Sequence, residues 1–305
     1  MARISILGVP SSAGSYAAGQ DQGPRALRDA GLIAALVAAG LDVNDDGDLP
    51  TQIWKPDSAH PFAQNLEQVR TCLQELTERL DSLFAAGDTL LVLGGNCTIA
   101  LSVISALQRT DGGTPGLLYV DRHFDMNVPK STTDGALDWM GLAHGLSLPG
   151  CADELADAFD RRPLLKPGNV AWLGVDPAWA TKWEREQASR LALHVESGAS
   201  LSSDPAGATA SALAVLPPGP LAVHVDVDVL DFTDAPLAES TDGRNSGPTL
   251  EQLRVALELA AQDLRFRALS IGELNPTRSA GDPAHLMRFV AVLARTLSAN
   301  GRLPS

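Results

Sequence analysis

Short apolar runs alternate along the chain with longer stretches that have helical spacing. Segment 62–87 places its apolar residues on one helical face, and segments 24–40 and 98–107 have the same periodicity. The apolar runs are typical of strands that are buried on both faces of a parallel sheet. They cover residues 2–9, 41–47, 88–95, 115–121, 169–176, 191–197, 220–228 and 267–275. The pattern therefore predicts an α/β fold with about eight mainly parallel strands.

No linker-like segment divides the chain. The loop-rich polar segments 10–23, 125–137 and 229–248 are short, and each follows a predicted strand. We therefore predict that residues 1–305 form a single domain.

Composition narrows the classes of function. The formal net charge is −14, and an acidic surface repels phosphate backbones, so no nucleic-acid partner is expected. Three widely spaced cysteines make a disulfide framework unexpected and fit a reducing cytoplasm. The N terminus lacks the long apolar region of a signal peptide, and no apolar run reaches the roughly 18 residues that span a bilayer. These features predict a cytoplasmic protein without a membrane partner.

Carboxylates and a histidine collect where buried strands are predicted to end. Ligands of parallel sheets bind beyond the carboxyl ends of the strands. Because alternate residues of an extended backbone point the same way, Asp121 and His123 can face one spot, and so can Asp226 and Asp228. Several carboxylates need a compensating positive charge to stay ionised together, and a divalent cation supplies it. Oxygen ligands with an imidazole suit manganese or a similar first-row metal.

Each of these motifs also has an ordinary structural interpretation, since a lone strand-end Asp is usually a helix cap or turn residue. We favour a metal site because two acidic pairs on separate strands are joined by a third strand end with Glu273. His224 alternates in phase with Asp226, so it lies either near the site or packed in the core. The histidines without a metal-site context are predicted to be structural: His60, His194, His224 and His285.

At these residues the chain resembles the ureohydrolase family, which includes arginase, agmatinase and formiminoglutamase. DRHFDMN (121–127) is similar to the family motif D-A-H-x-D-x-N, HVDVDVLD (224–231) to S-x-D-x-D-x-x-D, and GELNP (272–276) to E-x-N-P. The resemblance runs nearly end to end. It implies a three-layer α/β/α sandwich on an eight-stranded parallel sheet and a homo-oligomer, trimeric or hexameric.

The resemblance also implies a dinuclear metal site, with two Mn²⁺ ions as the expected cofactor. Asp121 and Asp226 would bridge the ions, and Asp125 would orient a metal-bound hydroxide that attacks a guanidine-like carbon. Glu273 matches the carboxylate that receives the guanidinium, and Asn127 and Asp176 match further substrate-binding positions. The residues that match the family's metal ligands are Asp121, His123, Asp125, Asp226 and Asp228.

The family's G-G-D-H-S motif reads GGNCT here, which places Cys97 where a histidine ligand would stand. We predict that Cys97 is a metal ligand, because the strand-end position is kept. The alternative is a buried, inert thiol beside a metal position that has lost occupancy. Thiolate is a softer ligand than imidazole, so iron, nickel or zinc can replace manganese. The same exchange resembles a branch of the family that hydrolyses N-hydroxy-arginine.

The stretch TTDGALDWMG departs from the S-G-N-x-H-G pattern of arginases, which holds the substrate α-carboxylate and supplies a proton-shuttling histidine. Asp134 and Ala136 stand where Ser and Asn would bind the carboxylate, so arginine itself is not the expected substrate. Asp138 takes the position of the shuttle histidine and is predicted to be catalytic. Trp179 falls near the family's amine-binding Glu.

Two further departures concern Arg122 and the acidic loop 231–249. Arg122 replaces a small residue of the family motif. Three alternatives are open at this position: Arg122 narrows the site, offsets the negative charge of the site or points to solvent. The loop faces the same sheet end and is predicted to shape the substrate pocket, with Phe232 in place of the family's proline.

Two functions follow from these patterns. The first is a metal-dependent hydrolase that cleaves a linear C–N bond in a guanidino, hydroxyguanidino or formimino compound and releases urea or a urea-like product. The second is a non-catalytic or regulatory subunit with a ureohydrolase fold and a degraded metal site. The retained Asp, His and Glu residues favour the enzyme, with a small guanidino-type substrate as its partner.

Overall fold

The computed structural model describes residues 3–241, 245–279 and 281–300, and in this part of the chain eight strands form one sheet. The strands are β1 Ile4–Gly8, β2 Val43–Asp48, β3 Thr89–Leu93, β4 Gly116–Val120, β5 Val170–Val175, β6 His194–Ser197, β7 Leu221–Asp226 and β8 Phe266–Gly272. Their order across the sheet is β2–β1–β3–β8–β7–β4–β5–β6. All neighbouring strands are parallel, as the apolar runs predict.

Eleven α-helices connect these strands within the described ranges. They are α1 Gly23–Asp29, α2 Leu32–Ala38, α3 Leu66–Ala85, α4 Ile99–Thr110, α5 Gly141–Gly145, α6 Asp153–Ala156, α7 Lys182–Leu191, α8 Gly198–Ser203, α9 Pro205–Val215, α10 Leu250–Gln262 and α11 Pro283–Ser298. Short 3-10 helices lie at Gln20–Gln22, Asp138–Met140, Pro167–Asn169, Val227–Val229 and Pro276–Ser279. None of the described helices is both long enough and apolar enough to cross a bilayer.

Helices cover both faces of the sheet, which confirms the predicted α/β/α sandwich. On one face, Ile4 and Ile6 of β1 pack in a core with residues of α1, α2 and α8–α11. On the other face, Leu90 and Val92 of β3 pack with residues of α3–α6. Side chains that alternate along the six inner strands therefore enter two separate apolar cores, and this explains why those strands are largely apolar, whereas the edge strands β2 and β6 are polar and partly exposed.

Two predicted elements end earlier than the periodicity suggests. The predicted helix 24–40 is broken into α1 and α2, because Gly31 adopts the left-handed conformation at φ 91°. The predicted strand 220–228 ends at Asp226, and the chain then turns into a 3-10 helix over Val227–Val229. Asp228 therefore lies in this 3-10 helix and not in the strand, which affects the position of its side chain in the site.

Candidate metal centre

The predicted site residues converge at the carboxyl ends of four adjacent central strands. Cys97 follows β3, Glu273 follows β8, Asp226 ends β7 and Asp121 follows β4. These strands lie side by side in the order β3–β8–β7–β4. Residues far apart in sequence therefore meet at one edge of the sheet, where parallel α/β folds bind their ligands.

The two D-x-[HD] pairs adopt the same local turn. The Asp121 carboxylate accepts a hydrogen bond of 2.6 Å from the backbone N–H of His123, and Asp226 accepts one of 2.8 Å from Asp228. Of these four residues only Asp226 belongs to a strand. The predicted cause of their convergence, alternation along an extended backbone, is therefore wrong. The side chains nevertheless converge, because each Asp closes a turn over its own next residues.

Two overlapping groups of buried side chains have the geometry of metal sites. In each group the potential ligand atoms lie within 4.8 Å of one another. His123 Nδ1 lies 3.1 Å from Asp228 Oδ2 and 3.5 Å from Asp121 Oδ1. Asp121 belongs to both groups, as expected of a bridging carboxylate. The groups are Asp121, His123, Asp226 and Asp228, and Cys97, Asp121 and Asp125.

The buried acids fit a divalent cation. Asp121 Oδ2 and Asp228 Oδ1 are buried and have no hydrogen-bond partner among the described residues, which is costly for a carboxylate unless a cation binds these oxygens. Hard oxygen donors with one imidazole are a ligand set that first-row divalent metals accept.

Burial and mutual repulsion shift three of the carboxyls, those of Asp121, Asp125 and Asp226, toward their protonated forms. Burial raises the pKa of Asp121 to about 6, even though hydrogen bonds from His123 oppose the shift. Burial and then the neighbouring carboxylates raise the pKa values of Asp125 and Asp226 well above the usual range. A bound cation would reverse these shifts, so metal binding is expected to release protons.

Cys97 faces this cluster. Its thiol is 1% exposed and donates a hydrogen bond of 3.2 Å to Asp226 Oδ2. Burial and the nearby acids raise the pKa of the thiol well above its usual value, so only a bound cation would favour the thiolate. A Cβ on Gly272 would stand 2.9 Å from the sulfur, which means that glycine leaves the space that Cys97 occupies.

His224 lies in the layer beneath the cluster. It is buried, stacks on Tyr119 with ring centroids 5.0 Å apart, and shares a hydrogen bond of 2.8 Å with Ser270 Oγ. It is absent from both ligand groups. The position agrees with a structural role close to the site.

Asp125 and Glu273 are held in backbone conformations that non-glycine residues rarely adopt. Their φ angles are 52° and 62°. The Tyr119 hydroxyl donates a hydrogen bond to Asp125, and Glu273 accepts one of 3.2 Å from the Cys97 N–H and one of 2.9 Å from Gln20 Nε2. Strain of this kind persists where surrounding contacts fix a functional side chain.

Aromatic rings narrow the cavity above the acids. Tyr16 and Trp139 stack with ring centroids 6.1 Å apart. Both line this cavity, hereafter the metal cavity, together with Asp138, Ser240 and Glu273. The space open to the centre of a water molecule is about 20 Å³. Burial raises the pKa of Asp138 to about 7, so this carboxyl can exchange a proton near neutral pH.

A second cavity of about 250 Å³ lies on the other side of Trp139. Asn127, Asp134 and Trp179 line it, and His123 and Trp139 line both cavities. Asn127, predicted to bind substrate, is therefore next to the metal ligands.

Asp176 lies elsewhere, in a cavity of about 270 Å³ that Arg122 also lines. Its carboxylate accepts a hydrogen bond of 3.0 Å from the Ala178 N–H. The structure therefore does not bring Asp176 to the metal cluster. Arg122 is buried, which excludes the prediction that it points to solvent.

Comparison with known proteins gives the family. A model of the arginase family matches residues 2–297. The chain belongs to the arginase family. Arginase from Bacillus caldovelox is 29% identical over 288 residues, which cover 90% of this chain and 92% of that protein. Human Arginase-1 is 36% identical over 178 residues, covering 57% of this chain and 55% of that protein.

Solved structures agree on the fold. The native structure of the Bacillus caldovelox arginase superimposes with a TM-score of 0.86 at 24% identity, covering 97% of this chain and 98% of that chain. Proclavaminate amidino hydrolase from Streptomyces clavuligerus superimposes with a TM-score of 0.72 at 18% identity, covering 99% and 92%. The arginase-family fold is thus confirmed, and the chain is an amidinohydrolase of this metal-dependent family.

Several site residues of this arginase-family member were not predicted from the sequence. Tyr119 and Gln20 support Asp125 and Glu273, and Tyr16, Trp139 and Ser240 line the metal cavity. Two of them carried a usable signal: Trp139 stands where the arginase pattern S-G-N-x-H-G has its last glycine, and Ser240 belongs to the loop 231–249 that was predicted to shape the substrate pocket. The others depend on contacts between distant segments.

Proposed function

We propose that this protein binds two divalent cations and hydrolyses a C–N bond of a guanidino, hydroxyguanidino or formimino compound, releasing urea or a urea-like product. The observation that carries the proposal is the pair of ligand groups that share Asp121 at the carboxyl ends of β3, β7 and β4. One position would use Asp121, His123, Asp226 and Asp228. The other would use Cys97, Asp121, Asp125 and Asp226, since Asp226 lies 3.2 Å from the sulfur.

The bound cations would lower the pKa of water and so supply the nucleophile at neutral pH. Asp125, fixed by Tyr119, would orient the attacking water. Glu273 would receive the planar guanidinium through its two oxygens, because a carboxylate pairs with that group in a bidentate manner. Asp138 would move a proton to the leaving amine, in the position that a histidine holds in the family motif.

The cavity beyond Trp139 favours a substrate other than arginine. Asp134 and Trp179 line it, and no Lys or Arg lines either this cavity or the metal cavity in the described part of the chain. A substrate α-carboxylate in this cavity would lie near the carboxylates of Asp134 and Glu184, and neutral donors such as the Asn127 amide do not offset that like charge. We therefore propose a guanidino-type substrate whose tail is not an α-amino acid.

Turnover and metal content together test this function. The purified protein, stripped of metal and reloaded with manganese, iron, nickel or zinc, would be incubated with guanidino compounds that have equal chain length and amine, carboxylate, neutral or amino-acid tails. Urea release above that of Glu273→Gln, with two metal ions per chain, supports the proposal. Tight metal binding without turnover of any compound would favour the non-catalytic subunit. Sedimentation would test the expected homo-oligomer.

A further inference from the structure

Arg122 is a buried cation placed between two candidate metal ligands in the sequence. It follows Asp121 and precedes His123, yet only 2% of its surface is exposed. Its side chain lines the cavity of Asp176 instead of the metal cavity. Every hydrogen bond that its guanidinium makes to the described residues ends on a backbone carbonyl or on a serine hydroxyl.

These hydrogen bonds join the metal centre to the end of the acidic loop. Nε donates to the carbonyl of Asp228, a candidate ligand, at 3.0 Å. Nη2 donates to the carbonyls of Leu230 at 3.1 Å and Ser246 at 2.8 Å, and Nη1 donates to Ser246 Oγ at 2.8 Å. One planar group therefore connects the backbone of residues 228–230, just after β7, with Ser246, which lies 16 to 18 positions further along the chain.

The loop packs closely against this guanidinium. Gly247 has φ 98°, and a Cβ there would stand 2.9 Å from Arg122 Nη2 and 2.3 Å from the Val229 carbonyl oxygen. The same loop carries Ser240, which lines the metal cavity, and its Glu239 N–H donates to the Glu273 carbonyl at 3.1 Å. Arg122 thus holds one end of a segment whose middle forms a wall of the site.

We propose that Arg122 is a positioning residue for the metal ligand Asp228 and for the loop that walls the metal cavity. The inference rests on the proposed metal centre. The forked guanidinium reaches several carbonyl groups at once, which a lysine ammonium on a flexible stem cannot reproduce.

Arg122→Gln and Arg122→Lys test this role by metal binding. Mn²⁺ would be titrated calorimetrically into the metal-free full-length protein. Residues that support a metal ligand from outside typically change affinity by about 10- to 100-fold, so we expect both variants to bind one of the two ions at least about tenfold more weakly. The visible spectrum of the Co²⁺-loaded protein should also change, because it reports the coordination geometry of the ion, to which Asp228 would contribute.

Arg288→Gln is the matched control. Arg288 donates hydrogen bonds of 3.0 Å to the carbonyl and carboxylate of Asp234, so it holds the same loop without touching a candidate metal ligand. Its metal affinity should stay within about twofold of the parent, as for an ordinary surface substitution, and its Co²⁺ spectrum should not move.

The outcomes separate this inference from the proposed function. If the parent binds no divalent metal, the proposed function fails and the inference fails with it. If the parent binds metal and Arg122→Gln binds it as tightly or more tightly, only the inference fails. Full recovery in Arg122→Lys would also overturn it, since charge alone would then suffice. If Arg122→Gln does not fold, Ser246→Ala carries the test, with about threefold weaker binding expected for one lost hydrogen bond and unchanged binding refuting it.

Discussion

Asp226 is the candidate ligand whose loss should affect both proposed metal positions. It belongs to the His123 group and its Oδ2 lies 3.2 Å from Cys97 Sγ. Asp226→Asn keeps the size of the side chain and the oxygen that accepts the Asp228 N–H at 2.8 Å. The substitution therefore removes the negative charge and leaves the local turn intact.

The size of the effect follows from the charge. Two unit charges 4 Å apart interact by about 4 kcal/mol at an effective dielectric constant near 20. A divalent ion in direct contact with the carboxylate interacts more strongly, and the cost of keeping Asp226 charged in a buried site works against this. We take about 4 kcal/mol as the net loss, which corresponds to roughly a thousandfold weaker metal binding.

Calorimetric titration of Mn²⁺ and metal analysis after dialysis would measure this loss. Asp231→Asn is the control, because Asp231 lies in the same stretch but belongs to neither ligand group and accepts a hydrogen bond from the Thr233 N–H at 2.8 Å. Without metal, Asp226→Asn should be at least as stable as the parent, since burial and Asp228 disfavour the charged form of Asp226. Metal affinity equal to that of Asp231→Asn would refute the ligand assignment.

The remaining predictions concern Glu273, pH and Cys97. Glu273→Gln should abolish urea release and leave metal content unchanged; loss of metal would instead make Glu273 a ligand. Metal affinity should rise between about pH 5 and 7.5, because Asp121 titrates near 6 and must lose its proton to bind a cation. Since that pKa is raised on folding, Asp121 destabilises the metal-free fold more at about pH 7 than at about pH 4, so Asp121→Asn should raise the thermal stability more at about pH 7 than at about pH 4. Cys97→His should raise manganese occupancy over zinc; equal metal in the parent, Cys97→His and Cys97→Ala would make Cys97 a spectator.

The sheet was predictable from the sequence because its six inner strands are buried on two faces. The side chains of Leu117–Val120 enter the two cores in alternation, so neither face of this strand meets solvent. The run is therefore apolar at every position, whatever the details of packing. The break at Gly31 was missed because the apolar spacing continues across it, and one residue in the left-handed conformation redirects the chain without changing the pattern. Boundaries thus depended on single backbone angles that periodicity does not report.

The clustering of the candidate ligands was also predictable, since parallel strands gather their carboxyl ends at one edge. The groups that support them were not. Gln20 reaches Glu273 across 253 positions of sequence, and Tyr119 reaches Asp125 from inside a strand where a tyrosine looks like an ordinary core residue. Asp176 shows the opposite case, because its motif matches the family while its side chain lies in another cavity. Matching a motif fixes which residue is present, whereas tertiary packing decides where it points.

The exchanges at positions 97 and 122 change the charge of the site in opposite directions. A histidine ligand is neutral, whereas a cysteine that coordinates a cation is a thiolate, so Cys97 as a ligand adds one negative charge. Arg122, where the family motif has a small residue, adds one positive charge beside Asp228. As ligands, the carboxylates of Asp121, Asp125, Asp226 and Asp228 would balance the four positive charges of two divalent ions. The Cys97 thiolate would add one negative charge, which the Arg122 guanidinium would offset. Uncompensated charge is costly in a buried site, so a cysteine ligand and a nearby arginine are easier to accommodate together than separately.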